Sequence, residues 1–358
     1  MTLLPIRHPY PNIQPVKNID KKYHHDKINN MAKHRLHTLV ALQMLASAAC
    51  GVQFAPYERL DKLRVLAIAA DPPQINDAAG VQLDALVVDP AFRASPRTLT
   101  YLWSWCPFTK ATVEGSECNT TEADIEADLG IDVPSLEIGT TPQVSFTMPI
   151  PEANLAIWCQ ATSGENLPTF ATPFECRSGR FPLKIQLEVE SEDGERIVST
   201  YTLWAMTDSA QNPVNGRPNI GNLTFQPLED NDDANPLADP VAVSGGTITR
   251  QNDQRFQVTV DEADAETLDA EEADRIGNTR EELVISWFYE QGSWENSDPR
   301  TYLRSDIASF EEFTQKRWTP PSVEDFPGTS MQFVVVIRDG RGGVNWASSV
   351  ATLTEDPL

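Results

Sequence analysis

The sequence predicts an all-β protein: two related β-sandwich domains behind an export signal and a short tether. Three observations carry this. Short apolar or alternating runs, each stopped by proline or a polar cluster, recur along the chain as strands do. The 27 prolines among 358 residues are spread throughout, which argues against long helices. One plan also occurs twice, a tryptophan inside an alternating strand and, further on, a closing hairpin with an Asp-Gly turn.

Residues 1–30 are rich in proline, asparagine and lysine and lack a usable apolar period. They read as a disordered upstream extension, with translation starting at Met31, or as an unusually long n-region. Residues 31–49 read as a signal peptide. Lys33-His34-Arg35 precedes the run Thr38 to Cys50, TLVALQMLASAAC, and a basic patch, a short apolar stretch and a small-residue end are the order of an export signal. The run is too short to cross a bilayer, which takes about 20 residues. Residues 50–62 read as a tether.

The first domain is expected over 63–207. Its strands are Leu63 to Ala69 (LRVLAIA, an apolar run), Val81 to Val88, and the aromatic, alternating Leu99 to Trp105 (LTYLWSW). Leu183 to Val189 and Ile197 to Trp204 flank Glu192-Asp193-Gly194-Glu195, a hairpin turn. Residues 107–175 read as an insertion carrying cysteines. The second domain is expected over 217–356, with strands at Leu223 to Phe225, Phe256 to Val260 and Leu283 to Tyr289 (LVISWFY). Met331 to Ile337 and Val344 to Leu353 flank Arg338-Asp339-Gly340-Arg341-Gly342-Gly343. An acidic insertion, 261–282, is helix-prone from Ala263 to Ile276 and polar on nearly every face, so it reads as an exposed or disordered excursion.

Charge divides the chain. Seven of the 28 basic residues and two of the 52 acidic ones precede Cys50, which leaves 21 against 50, near −29. A body this acidic is repelled by nucleic-acid phosphates and anionic headgroups, so no nucleic-acid partner is expected, and membrane contact only through an anchor. All five histidines, His8, His24, His25, His34 and His37, also precede Cys50. The body therefore cannot use Ser-His-Asp or Cys-His catalysis or a histidine-ligated zinc. Carboxylate-pair catalysis stays open, but no pair stands out among so many acids.

Five cysteines are present, and setting Cys50 aside leaves four. No spacing is C-x-x-C. In an oxidising compartment they are expected to pair. Four cysteines allow three connectivities, of which Cys106–Cys118 and Cys159–Cys176 are favoured because each closes a short loop flanked by strand-like sequence.

The candidate sites are few. Leu228 to Pro236 is a dense acidic loop, and Asp230, Asp232, Asp233 and Asp239 are candidate calcium ligands, since calcium takes about six to eight oxygens. The EF-hand spacing is not met, and a solvated loop is the competing reading. Trp294 and Trp318 lie in loop-like text and are expected as an exposed aromatic surface for a protein or glycan partner. Trp103 or Trp105, and Trp287, read as core pins. Asp339 reads as a turn former bonded to its local backbone, against a catalytic or metal role.

Three resemblances rest on these residues. Ala48-Ala49-Cys50-Gly51 resembles a bacterial lipoprotein signal, which implies a lipidated Cys50 and, through Gly51, outer-membrane sorting. Ser47 departs from the aliphatic residue usual there, and cleavage after Ala48 or Ala49 by ordinary signal peptidase is the alternative. The tryptophan-bearing third strand and the Asp-Gly-Arg-Gly-Gly hairpin resemble immunoglobulin-like domains of the PKD or bacterial Ig type. LRVLAIAADPP and WSWCPF resemble surface lipoproteins of myxobacteria and related Gram-negative bacteria. The implied protein is an exported cell-surface or outer-membrane lipoprotein, otherwise periplasmic or secreted, serving as a non-catalytic interaction or structural module. A carboxylate-based secreted hydrolase and a calcium-stabilised adhesion module are the alternatives. No cofactor is expected beyond calcium.

Overall fold

The computed structural model describes residues 57–76, 80–90, 97–106, 110–112, 115–118, 121–129, 134–149, 180–206, 215–229, 232–268, 270, 273–274, 277–296, 298–304 and 309–355. The signal, Cys50 and the pair Cys159 and Cys176 lie outside them.

The first sandwich contains β1 (Arg64–Asp71), β2 (Gln74–Asn76), β3 (Val81–Val88), β4 (Leu99–Cys106), a small hairpin of β5 (Lys110–Thr112) and β6 (Gly115–Glu117), and a helix at Glu122–Leu129. It continues with β7 (Glu137–Gly139), β8 (Gln143–Phe146), β9 (Arg180–Ser191) and β10 (Arg196–Met206). One sheet runs β1-β3-β8, the other β2-β10-β9-β4-β7, with β2 parallel to β10.

The second sandwich contains β11 (Leu223–Glu229), β12 (Asp232–Pro236), β13 (Val241–Ala242), β14 (Thr247–Thr249), β15 (Gln254–Val258), β16 (Leu283–Tyr289), β17 (Ser293–Trp294) and β18 (Arg300–Leu303). A helical turn at Phe310–Thr314 leads to β19 (Gln315–Thr319), β20 (Ser330–Arg338) and β21 (Val344–Thr354). One sheet runs β12-β11-β15-β19-β17, with β13 on β11. The other runs β14-β21-β20-β16-β18, with β14 parallel to β21.

The two halves share one strand order. The path β1-β3-β8 corresponds to β11-β15-β19, and β2-β10-β9-β4-β7 to β14-β21-β20-β16-β18. Two facing antiparallel sheets with this order, one of them closed by a parallel edge strand, are the immunoglobulin-like plan. The chain is all-β, as the sequence predicts. Two strands of the first sandwich, β7 and β8, fall inside the span 107–175, so that span is not wholly an insertion. The Asp193-Gly194 and Asp339-Gly340 hairpins form as expected, joining β9 to β10 and β20 to β21.

Each sandwich has its own core. Trp103, Trp105, Ile185 and Leu187 anchor the first, and Phe256, Trp287, Trp318 and Phe333 the second. A third apolar cluster lies between them: Leu60, Leu66, Ala67, Ala69 and Val88 meet Phe288, Val334, Val336 and Val344. This explains why some strands read as continuous apolar runs. Along β20, Phe333, Val335 and Ile337 face their own core, while Val334 and Val336 face the other sandwich. Along β1, Ile68 and Ala70 face inward and Leu66, Ala67 and Ala69 face across. Burying a side chain of this size contributes roughly 1.5–3 kcal/mol, so the shared cluster joins the sandwiches firmly.

The tether reading of 50–62 needs correction at its end. Residues 50–56 lie outside the described residues, but Glu58–Leu60 are built into the second sandwich. Arg59 bridges Tyr289, the Leu60 amide donates to Tyr289 O at 2.8 Å, and the Tyr289 amide donates to Glu58 O at 3.1 Å. Leu60 is only 2 % exposed, because its apolar side chain completes the shared cluster.

Candidate functional site

The most unusual chemistry lies where the β20–β21 turn meets the connection between the sandwiches. Asp339 directly follows β20, and its side chain shapes the turn. Oδ1 accepts the amides of Arg341 and Gly343, both at 2.8 Å, and Oδ2 accepts Asn215 Nδ2 at 2.9 Å. The turn-former reading of Asp339 therefore holds, with an added partner across the connection. Burial pushes its carboxyl up from the usual range, while those donors pull it down.

Arg341 is the hub. Its guanidinium donates to Glu281 and Glu266, and to Asn215 Oδ1 at 2.9 Å. Glu281, just before β16, has a side chain 1 % exposed. Its Oε1 takes the Arg341 bond, and its Oε2 is buried without a partner. Burial pushes the Glu281 carboxyl up to about 7, Arg341 pulls it down, and Asp339 and Glu266 push it further up. Asn215 ties this group to the first sandwich, its amide donating to Gln74 Oε1 at 3.0 Å. Tyr201 on β10 donates to Gly342 O at 2.7 Å, and Arg338 Nη2 donates to Leu66 O at 2.6 Å. Arrangements of this kind hold elements together. The carboxylates are spent on backbone amides and one guanidinium rather than facing a substrate.

The acidic insertion takes part in this clamp: Ala270, Ala273 and Asp274 are helical, in line with its helix-prone sequence, but its two ends are not a free exposed excursion. Leu268 N donates to Thr279 O at 3.0 Å and Glu281 N to Glu266 O at 2.9 Å, so its two arms pair with each other. Ala265 and Leu268 are buried, and Arg280 donates to the carbonyls of Ala265 and Glu262. Its few apolar side chains pin it to the sandwich, and its acids then meet Arg341.

The expectation of an exposed aromatic surface at Trp294 and Trp318 is corrected: they are 7 % and 0 % exposed. Opposed in the β17–β19 pair, they turn into the core. Trp294 lies edge-on to Phe256 (5.9 Å) and Tyr289 (5.4 Å), and Trp318 to Phe333 (5.1 Å). Each indole N–H meets a carbonyl at 3.2 Å, Trp287 O and Gln291 O respectively. Such burial suits an aromatic whose polar atom is satisfied.

Cys106 and Cys118 are brought together, with Cα atoms 5.4 Å apart, inside the range a disulfide takes. Among the candidate calcium ligands, Asp230 lies outside the described residues. Asp232 and Asp233 belong to the backbone pairing of β12 with β11, and Asp239 is exposed. Among the described residues no group of three or more acidic, histidine or cysteine side chains is placed to hold a metal.

Surface grooves lined by described residues flank the second sandwich, among them ones of about 660, 340 and 680 Å³. The first mixes Arg255, Lys316 and Arg317 with Glu295, Glu311 and Glu312. The other two share Arg59 and Gln291. None is lined by Glu266, Glu281 or Asp339. No helix among the described residues is long and apolar enough to cross a membrane.

No family model matches this chain, and neither does any curated protein. Solved structures with some likeness include murine CEACAM1b, at 12 % identity over 80 % of this chain and 99 % of that one, with a TM-score of 0.19. The fibronectin(III)-like modules of Clostridium thermocellum CbhA match at 8 % identity over 80 % and 94 %, with a TM-score of 0.21. The Yersinia pseudotuberculosis adhesin InvE matches at 10 % identity over 81 % and 60 %, with a TM-score of 0.17. At these scores the likenesses carry no argument, and the fold rests on strand order.

Sequence reasoning found Asp339 but not Gln74, Tyr201, Asn215, Glu266, Glu281 or Arg341 as its company. The one local signal is an arginine set among the glycines of a tight turn.

Proposed function

We propose that this chain is an exported, lipid-anchored envelope protein whose two sandwiches act together as one stiff, non-catalytic interaction module. The observation that carries the reading is the junction. Linked domains normally move relative to one another unless their interface is large and apolar. Here a shared apolar cluster, a docked N-terminal segment and a charged clamp all join the sandwiches. The buried carboxylates serve that clamp, whereas a carboxylate-pair hydrolase needs two of them facing one cleft about 5–10 Å apart. The export and anchor parts rest on the TLVALQMLASAAC signal and Cys50. In that compartment Cys106 and Cys118 form a disulfide. The partner is a protein or a glycan met at the cell surface.

Mass spectrometry of the mature N-terminus from membrane fractions tests the anchor. A diacylglycerol-modified Cys50 is expected, and an unmodified N-terminus or a start elsewhere overturns it. Small-angle scattering tests the stiffness. A single rigid two-sandwich shape is expected, and an ensemble of interdomain angles overturns it.

A further inference from the structure

The clamp at the junction holds more acid than base. Facing Glu281 are Arg341 and Asp339 from the β20–β21 turn and Glu266 from the acidic insertion. Beyond them, Tyr201 of β10 feels both Asp339 and Arg217 of the connection. Arg217 is committed elsewhere, donating to Val344 O at 3.1 Å. Two carboxylates thus bond one guanidinium directly, and a third, Asp339, lies close enough to feel its charge. They are not equivalent. Asp339 accepts three N–H donors, which favour its ionised form. Glu266 keeps a side chain 38 % exposed and in touch with water. Glu281 has neither advantage, being buried with one bond to Arg341 and an orphaned Oε2. An ionised carboxylate out of water with an unbonded oxygen is costly, and a bound proton removes most of that cost.

We propose that Glu281 takes up a proton in the folded protein near neutral pH, so that acidification tightens the junction between the two sandwiches and alkalinity loosens it. The proton goes to Oε2. Oε1 remains the acceptor for Arg341, which stays charged and keeps its bonds to Glu266 and Asn215. The clamp's geometry is thus retained while one buried charge disappears.

The direction follows from linkage. The folded value of Glu281, about 7, lies above the ordinary 4.5. Its stabilising contribution is therefore full below 4.5 and is lost as pH rises through about 7. A gap of this size corresponds to a change of roughly a few hundredfold in the folding equilibrium constant. This inference does not depend on the proposed envelope role, because it concerns only the junction.

The test compares the purified wild-type protein with Glu281→Gln, which keeps the shape and an acceptor for Arg341 without a titrating charge. Urea midpoints and the exchange protection of amides at 215–217 and 339–343 are followed from about pH 5 to about pH 9. Wild type is expected to lose stability and junction protection across a step centred near neutrality, and Glu281→Gln to lack that step. The same step in both proteins overturns the proposal. Should the variant not fold, the side-chain carboxyl ¹³C shift of Glu281 in wild type decides. A midpoint near neutrality supports the assignment, and one at or below the ordinary glutamate value overturns it.

Discussion

Trp103 and Trp287 hold the same place in two copies of one fold. Each lies fully buried on the fourth strand along its sheet, β4 and β16, opposite the apolar strand that precedes the closing turn: Trp103 pairs with Leu187 and Trp287 with Val335. Each indole N–H is satisfied by a segment beyond its own strand. Trp103 donates to Thr141 O at 2.8 Å and Trp287 to Thr301 Oγ1 at 3.1 Å. Leu99 and Leu283 stand four residues before them in matching strands. Truncating either tryptophan to alanine is expected to cost about 3–5 kcal/mol, from lost burial and a cavity that close packing does not let collapse. Chemical denaturation of each variant measures this. A loss below 1 kcal/mol at either site means that the residue is not the core pin described.

Arg341→Met leaves the Glu281 carboxyl buried without the one hydrogen-bond donor it has among the described residues. Breaking a buried pair in this way costs about 3–5 kcal/mol, whereas replacing both members with apolar residues of similar size costs much less. Arg341→Met alone is therefore expected to lower the urea midpoint sharply near pH 8 and less near pH 5.5, where Glu281 is neutral. Arg341→Met with Glu281→Leu is expected to recover most of the loss. If the double variant is no better than the single one, the pair is not what Arg341 serves.

The strands were legible because each has at least one apolar face to bury: β3 and β16 occupy the predicted residues Val81–Val88 and Leu283–Tyr289. The apolar run at β1 also reads as a strand, but its second apolar face is explained only by the opposite sandwich. The short β7 and β8 escape notice because Glu137–Gly139 and Gln143–Phe146 offer too few residues to show a period. Trp318 reads as a loop residue because its inward neighbour in the alternation is Lys316. That lysine is 8 % exposed yet sends its ammonium to Asp298 O at 2.7 Å, and burial lowers its pKa. The clamp was not legible, since Gln74, Asn215, Glu266, Glu281 and Arg341 lie far apart in sequence and only the packing of the sandwiches makes them neighbours.

Arg97 ties together three acids of the first sandwich. It bonds Asp89 at the end of β3 (2.7 and 2.9 Å), Asp193 at 2.7 Å and Glu195 at 2.6 Å, the latter two in the β9–β10 turn. Hydrogen bonds from Ser191 and from Arg97 hold Asp193 below its ordinary value. A depressed carboxyl contributes stability that is present above its unfolded pKa and lost as pH falls through the folded one. Arg97→Met is therefore expected to be less stable than wild type at neutral pH, with the difference shrinking in acid and in high salt. Thermal melts at pH 7 and pH 3 check this, and a difference that grows in acid contradicts it.

Cys106→Ser combined with Cys118→Ser is expected to remove roughly 3 kcal/mol by the chain-entropy estimate for so short a loop. Peptide mapping under non-reducing conditions should recover the two cysteines in one linked peptide. Separate free-thiol peptides from protein recovered outside the cytoplasm would exclude the disulfide.

Gly292 is one position where the backbone leaves no room for a side chain. Its φ is +105°, and a Cβ there would sit 2.5 Å from Trp318 Nε1 and 2.6 Å from Thr319 O. The indole cannot retreat. Trp318 is wedged against Phe256 at 5.7 Å and Phe333 at 5.1 Å, and its N–H is committed to Gln291 O. Gly292→Ala is therefore expected to cost about 1–3 kcal/mol from overpacking, with roughly another 1 kcal/mol from the positive φ. Gly194, at φ +87° in the β9–β10 turn, is the matched control, because nothing lies within 4 Å of a Cβ placed on it. Gly194→Ala should show the backbone cost alone, about 1 kcal/mol. Near-ultraviolet circular dichroism should register the displaced indole only in the Gly292 variant. Equal losses in the two variants would mean that Trp318 is not held as tightly as its aromatic neighbours imply.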